Sequence, residues 1–396
     1  MTAEETPASS TIDETTQAQT TTEALEWHAP VLVRIDEHTT IPHLLKERVQ
    51  RGATRPLILR KIGIGDTWRS ITAREFYDEV HALAAGLIAR GLEPGDRVAI
   101  MSRTRYEWTL LDFACWAAGL VPVPIYETSS IDQVAHVLVD ADVTLIITET
   151  VSMAEIVRAA AEREKRDNTH VLSLDSEAIE TLIAEGSTTP RERVLARSEA
   201  LTKDDIATIV YTSGTTGTPK GTVLSHENFT NLCLNAHAWM PEIAAGKDSR
   251  LLLFLPLAHV FARFLQVFQI SGNGVLGHAS NIKNLLGDLA SFRPSYLLVV
   301  PRVLEKIYNS ADTKASGPKR KIFRWAAKVA IAYSQALDTE DGPSASLKAQ
   351  HALADKLVYQ QIIRLVGGNA DYIVSGGAPL APWLAHFYRG VGIPVL

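Results

Sequence analysis

Apolar and polar positions follow one another in blocks with two distinct periods. Phe76, Val80, Leu83, Leu87 and Ile88 recur at helical spacing, and Thr72 with Glu75 predicts a capping box in front of them; the pattern stops at Gly91. Arg97–Met101 reads as a short buried strand. Thr104 with Glu107 predicts the cap of a second helix that ends at Gly119. Val121–Tyr126 is strand-like, Ser130 with Gln133 opens a further helix, and Leu145–Thr148 is another strand. Later apolar runs at Ile206–Val210, Leu251–Leu255, Val275–Leu276, Tyr296–Val300 and Tyr372–Val374 also read as buried strands. Alternation of this kind predicts an α/β protein, with largely parallel sheet and helices on both faces.

Leu251–Ile270 is apolar enough to resemble a membrane span, but it contains Pro256, His259, Arg263, Gln266 and Gln269. A central arginine costs about 2.5–3.5 kcal/mol on insertion scales, so a strand, a turn and a helix are expected instead. Residues 1–26 are rich in Thr, Glu, Ala and Gln and are expected to form a disordered tail. Gly186–Pro190 is turn-like and polar sequence follows it, which suggests a first α/β subdomain over 27–199 and a second over 200–396.

Composition narrows the class. With 396 residues the chain can bury a large core without staples. A net charge of −6 argues against a general nucleic-acid binder. Cys115 and Cys233 stand far apart in apolar surroundings, which excludes a disulfide scaffold or a CxxC site and suits a reducing cytoplasm. No basic, apolar leader opens the chain.

The most informative stretch is Tyr211–Gly221, YTSGTTGTPKG, between an apolar strand and a helix that Ser225 is placed to cap. Gly214, Gly217 and Gly221 would let backbone N–H groups approach an anion. Thr212, Ser213, Thr215, Thr216 and Thr218 bring five hydroxyls, and Lys220 behind Pro219 brings a positive charge. The plain alternative is a polar surface turn. The loop is not a Walker motif, because Pro219 stands where the second glycine belongs. Gly272–Gly277 matches GxGxxG but lacks the strand–turn–helix context, and reads as a turn entering a strand.

Tyr211–Gly221 resembles the phosphate-binding signature of the acyl-adenylate-forming superfamily. Ala114–Tyr126 (ACWAAGLVPVPIY), Phe254–Phe264 (FLPLAHVFARF), Pro301–Tyr308 (PRVLEKIY) and Val374–Leu380 (VSGGAPL) resemble further blocks of that family, closest to its bacterial long-chain fatty acyl-CoA synthetase branch. The resemblance implies two layered α/β subdomains of an adenylate-forming N-terminal domain. It also implies a two-step reaction, in which a fatty carboxylate attacks ATP to give acyl-AMP and pyrophosphate, and CoA then displaces AMP. Thr212, Ser213, Gly214, Thr215, Thr216, Gly217, Thr218 and Lys220 would hold ATP phosphates, with Thr212 also at Mg²⁺. Lys220 and His259 would be catalytic, the latter near the reacting carboxylate; its alternative is a core histidine. His226 is expected to be only a helix-start residue. Ser375, Gly376, Gly377, Ala378 and Pro379 would line the adenine and acyl pockets, or else form a tight turn.

Leu257–Phe268 contains no Asp or Glu to pair a substrate ammonium, which favours a fatty acid over an amino acid. An aromatic gate of some relatives falls at Arg263, so no gate is assigned. On a helical wheel over 319–337, Arg320, Lys321, Arg324 and Lys328 share one face, and Ile322, Trp325, Ala326, Val329, Tyr333 and Leu337 the other. This suggests either peripheral contact with the inner membrane face or a docked helix with its basic side in water. The chain stops at Leu396, before the family's Gly-Tyr-Gly-x-Thr-Glu block, its β-barrel part and its C-terminal domain, so weak ATP binding at best and no thioester formation are expected from this portion alone. A non-catalytic nucleotide- or acyl-binding module, and a fatty acyl-AMP ligase serving a carrier protein, remain the alternatives.

Overall fold

The computed structural model describes residues 30–63, 67–212, 218–244 and 249–396. The expected tail 1–26 and the loop residues Ser213, Gly214, Thr215, Thr216 and Gly217 lie outside the described residues. The chain divides into two units, Met1–Val31 and Leu32–Leu396. Of the first, Pro30 and Val31 are described and carry no helix or strand. All that follows concerns the second.

Its described strands are β1 (Pro56–Lys61), β2 (Trp68–Thr72), β3 (Arg97–Met101), β4 (Val121–Ile125), β5 (Leu145–Thr148), β6 (His170–Ser173), β7 (Ile206–Thr212), β8 (Lys220–Ser225), β9 (Arg250–Leu253), β10 (Val275–His278), β11 (Tyr296–Val299) and β12 (Tyr372–Ser375). One sheet, ordered β4-β3-β5-β6, is wholly parallel. Its strands are apolar on both faces because both faces are covered. Val98, Ile100, Leu145 and Ile147 join a core with Phe76, Trp108 and Phe113. Ala99, Met101 and Ile146 pack the other way, onto Val134, Leu138 and Val157. The period-two alternation of a strand sends successive side chains to these opposite layers.

A second sheet runs β2-β1-β10-β9, with β1 parallel to β10 and antiparallel to β2. It takes strands from both sides of residues 199–200, and the core around Trp116 likewise gathers residues from both sides. β11 and β12 form a parallel pair, and β7 and β8 an antiparallel one.

The capping boxes at Thr72–Glu75 and Ser130–Gln133 form as the sequence predicts, in front of the helices Ala73–Ala89 and Ile131–Asp140. The one expected at Thr104 does not. The helix there is Tyr106–Ala117, capped from Arg105 without a side-chain bond. Thr104 Oγ1 instead donates to Leu255 O at 2.7 Å and accepts from Leu257 N at 3.1 Å, which ties the end of β3 to the turn after β9. Leu251–Ile270 is the expected strand, turn and helix (Val260–Ser271), and among the described residues no helix is long and apolar enough to cross a membrane.

The helix Pro318–Ala336 directs Phe323, Ala326, Ala327, Val329 and Ala330 into the core. Most of its apolar side is therefore used within the protein, while Ile322 remains exposed. Arg320 and Arg324 both pair with Asp312, at 2.7 and 3.0 Å.

Candidate active site

β7 and β8 carry the distinctive loop between them. Thr212, the last residue of β7, stands opposite Lys220, the first of β8. The hydroxyl and the ammonium are thus held at the two sides of the loop's mouth by a ladder of backbone bonds. Both residues are exposed, and among the described residues Lys220 has no ion pair. The base of the loop is fastened to the helix Ile131–Asp140. Tyr211 Oη donates to Asp140 Oδ2 at 2.6 Å, and His136 Nε2, protonated to do so, donates to Pro219 O at 2.7 Å. Burial, followed by the Asp140 carboxylate, raises the Tyr211 phenol well above its usual range, so it remains a donor.

Gly221 lies in β8 opposite Tyr211, and a Cβ there would meet Ile209 Cγ2 at 2.9 Å, so its missing side chain also serves cross-strand packing.

His259 caps the helix Val260–Ser271, where its Nδ1 accepts from Phe261 N at 3.2 Å. In the neutral ring the proton is then on Nε2, which is left as a donor. His259 is exposed, so the core-histidine alternative does not describe it. Thr212, Pro219 and His259 line one cleft of about 340 Å³, closed by Tyr126, Ser129, Gln133 and Val260. Among its lining groups are the Thr212 hydroxyl and the His259 imidazole, and Lys220 stands next to Pro219 and opposite Thr212 in the strand pair. These donors suit a polyanion whose charge grows during reaction.

Ser375–Pro379 leaves the end of β12 near this cleft but does not line it. Gly376 N donates to Val299 O at 3.2 Å, and Gly377 has φ +79°, which favours glycine. Among the described residues a Cβ at Gly376 would meet only Phe261 Cζ at 3.9 Å, an ordinary contact, so their packing does not demand glycine there.

Arg263 faces away from the cleft. It is wholly buried and paired with Asp112 at 2.6 Å, so it is no gate. His226 is buried at the start of its helix, with Nδ1 accepting from Ile41 N at 3.3 Å, as its expected structural part requires.

One cluster is missed by sequence reasoning. Arg60, Arg103, Arg105, Glu107, Glu149 and His278 gather at the ends of β1, β3, β5 and β10 around a cleft of about 290 Å³. Arg60 pairs with Glu107, and Arg103 with Glu149; Arg105 reaches Glu107 at 2.5 Å and Glu149 at 3.5 Å. Burial alone would raise the Glu149 carboxyl, but its bonds to Arg103 and the charge of Arg105 hold it below the usual range. The only local signal is the run Arg103-Thr-Arg-Tyr-Glu after a buried strand; the partners come from distant segments.

Residues 45–396 match the AMP-binding enzyme family. The chain is 40% identical over 373 residues to the long-chain-fatty-acid–CoA ligase FadD15 of Mycobacterium bovis, covering 93% of this chain and 62% of that protein. It is 28% identical to long chain acyl-CoA synthetase 3 of Arabidopsis thaliana, covering 87% of this chain and 53% of the relative. The chain thus spans somewhat over half the length of these relatives. Among solved structures, the inhibitor-bound N-terminal domain of FACL13 from Mycobacterium tuberculosis superposes with a TM-score of 0.62 at 21% identity, covering 90% of this chain and 74% of that one. The adenylation domain of a carboxylate reductase from Mycobacterium chelonae gives 0.63 at 20% identity, covering 90% and 57%.

Proposed function

Because the chain belongs to the AMP-binding enzyme family, we propose that it forms the substrate-binding portion of an ATP-dependent ligase that activates a long-chain fatty acid. The reading rests on one observation above others: Thr212, Pro219 and His259, from two segments far apart in sequence, line a single cleft. In this reading Thr212 and Lys220 hold ATP phosphates, together with the loop residues between them. The Nε2 proton of His259 binds the acid's carboxylate oxygen and the α-phosphate as negative charge shifts between them. The first product is acyl-AMP with loss of pyrophosphate, and CoA thiol then displaces AMP. Thr212 would offer its hydroxyl to Mg²⁺, whose part is to neutralise the polyphosphate. Its exposed Oγ1 at a strand end fits an outer contact to such an ion.

Two features support a fatty acid. The 40% identical relative is a long-chain-fatty-acid–CoA ligase. The helix bearing His259 brings no carboxylate toward the cleft, because Leu257–Phe268 holds neither Asp nor Glu. An amino acid's ammonium would be left unpaired there. Gly376, whose Cβ would meet only Phe261 Cζ among the described residues, suits the flat approach of a nucleotide base or an acyl chain.

The test is exchange of labelled pyrophosphate into ATP by the protein carrying this chain, with palmitate compared against polar amino acids. Palmitate-dependent exchange is expected. Comparable exchange with an amino acid refutes the substrate class, and ATP binding without any acid-dependent exchange leaves a non-catalytic module. AMP release that depends on CoA separates a CoA ligase from an acyl-AMP ligase. Contact with an anionic membrane would use the basic face of the helix Pro318–Ala336, where Arg320, Lys321, Arg324 and Lys328 are exposed together with the apolar Ile322. Co-sedimentation with anionic liposomes after neutralising these four cations would show it, and unchanged binding would refute it.

A further inference from the structure

The strand that ends at Thr212 and the helix that begins at His259 must be held at a fixed spacing if both are to face one substrate. What joins them is buried behind the cleft. Arg263 and Asp112 are both fully buried, and Arg263 Nη2 donates to Asp112 Oδ1 at 2.6 Å. Arg263 Nη1 donates to Thr208 Oγ1 on β7, and Thr208 donates onward to Pro122 O on β4 at 2.7 Å. The guanidinium lies 5.5 Å from the centre of the Trp116 ring, and Trp116 Nε1 donates to Ala207 O on β7 at 2.7 Å. The second oxygen of Asp112 takes Gln266 Nε2 at 2.5 Å, and Gln266 Oε1 accepts from Thr109 at 2.9 Å.

These bonds form a three-way clamp. Thr109, Asp112 and Trp116 lie on one face of the helix Tyr106–Ala117, at i, i+3 and i+7. They grip two successive residues of β7, Ala207 and Thr208, and two residues near one turn apart on the helix Val260–Ser271, Arg263 and Gln266. Arg263 stands four residues after His259, just over one turn, a rise of about 6 Å. Thr208 stands four residues before Thr212 on an extended strand, about 13 Å. A shift of the clamp is therefore passed to both cleft residues through rigid elements.

Stability alone does not explain such a group. A buried ion pair contributes little net stability compared with apolar side chains of the same volume, and its distinctive property is direction. We propose that Arg263 is a positioning residue: through Asp112 and Thr208 it sets the spacing of His259 from Thr212, and so the alignment of the acid with the nucleotide. This rests on the adenylation reading above.

The experiment compares three variants of the protein that carries this chain. R263M/D112N removes both charges together and leaves an oxygen for Gln266, so its melting temperature is expected to stay within a few degrees of the original. Amide hydrogen exchange at Tyr211, Thr212 and Lys220, and in the first turn after His259, is expected to rise tenfold or more, with distant helices unchanged. The turnover number for palmitate-dependent pyrophosphate exchange is expected to fall by about 10², the effect of an ångström-scale misplacement, with a smaller change in KM. R263K, which keeps the ion pair but loses the fork to Thr208, is expected to fall between. T208V, which leaves both charges paired, is expected to show the same local loosening, and it decides the matter if R263M/D112N does not fold. Unchanged local amide exchange, or an unchanged turnover number in a folded variant, overturns the proposal. If the original protein shows no acid-dependent exchange, the adenylation reading fails, and with it the alignment this residue is proposed to set; local amide exchange then judges the clamp by itself.

Discussion

Two buried histidines make the stability of this protein depend on pH in a calculable way. His226 and His278 are both held at a pKa of about 4, against an ordinary 6.5, because burial disfavours the charged ring. For His226 the Asp205 carboxylate opposes the shift; for His278 Glu107 opposes it, and the Arg60 cation adds to it. Between pH 6.5 and about 4 the unfolded chain binds a proton at each site that the folded chain does not, so stability falls as pH falls. From about pH 7.5 to about pH 5 the loss is roughly 2 kcal/mol per histidine. The assay is urea unfolding at both pH values, for the wild type and for H226Q, H278Q and the double variant. Glutamine at 226 keeps an oxygen for the Ile41 N–H but cannot take up the proton. Each single variant is expected to start less stable at the higher pH. Each is then expected to lose about 2 kcal/mol less than the wild type on acidification, and the double variant about 4. Other titrating groups are common to all four proteins and cancel. Parallel pH lines for wild type and H226Q would refute the reasoning.

Three further outcomes follow from the cleft. Lys220→Ala is expected to weaken ATP binding by tenfold or more, the scale of a lost charge-assisted contact, with an unchanged melting temperature because the residue is exposed; calorimetric titration with ATP checks it. His259→Ala is expected to lower palmitate-dependent pyrophosphate exchange by about 10²-fold, while the lost bond to Phe261 N costs about 1 kcal/mol of stability, measured by urea unfolding. Gly376→Ala is expected to leave stability within about 0.5 kcal/mol, since the nearest atom to its Cβ among the described residues is at 3.9 Å, yet to reduce acid-dependent exchange by narrowing the space before β12. Wild-type exchange in that variant would show that no ligand approaches there.

Much of the local architecture was legible. Thr72–Glu75 and Ser130–Gln133 announce helix starts because a capping box is satisfied within four residues, independent of what packs on it. Arg97–Met101 and Leu145–Thr148 were readable because a strand covered on both faces must be apolar throughout. Thr104–Glu107 carries the same local signal as a capping box and forms none. Thr104 finds better partners on the turn after β9, and Glu107 is drawn to Arg60 and Arg105. β1, β2, β6 and β8 escaped notice: β1 and β8 are partly polar edges of their sequence runs, and only their pairing partners make them strands.

The candidate site divides in the same way. Its loop motif is contiguous, so the residue types and the chemistry they suit were visible in the chain, as was the histidine of the Phe254–Phe264 block. That Thr212 and His259 share a cleft, that Gly221 packs across a strand pair, and that Arg263 is a buried clamp and not a gate were not visible. The sequence by itself determined most of the helices and buried strands and the residue types of the Tyr211–Gly221 stretch, because helix and strand periods and caps are settled over a few residues. Only the tertiary structure decided which distant side chains meet, because the partners of a buried charge or an unpaired hydroxyl are chosen by packing and desolvation across the whole core, where no short-range pattern records them.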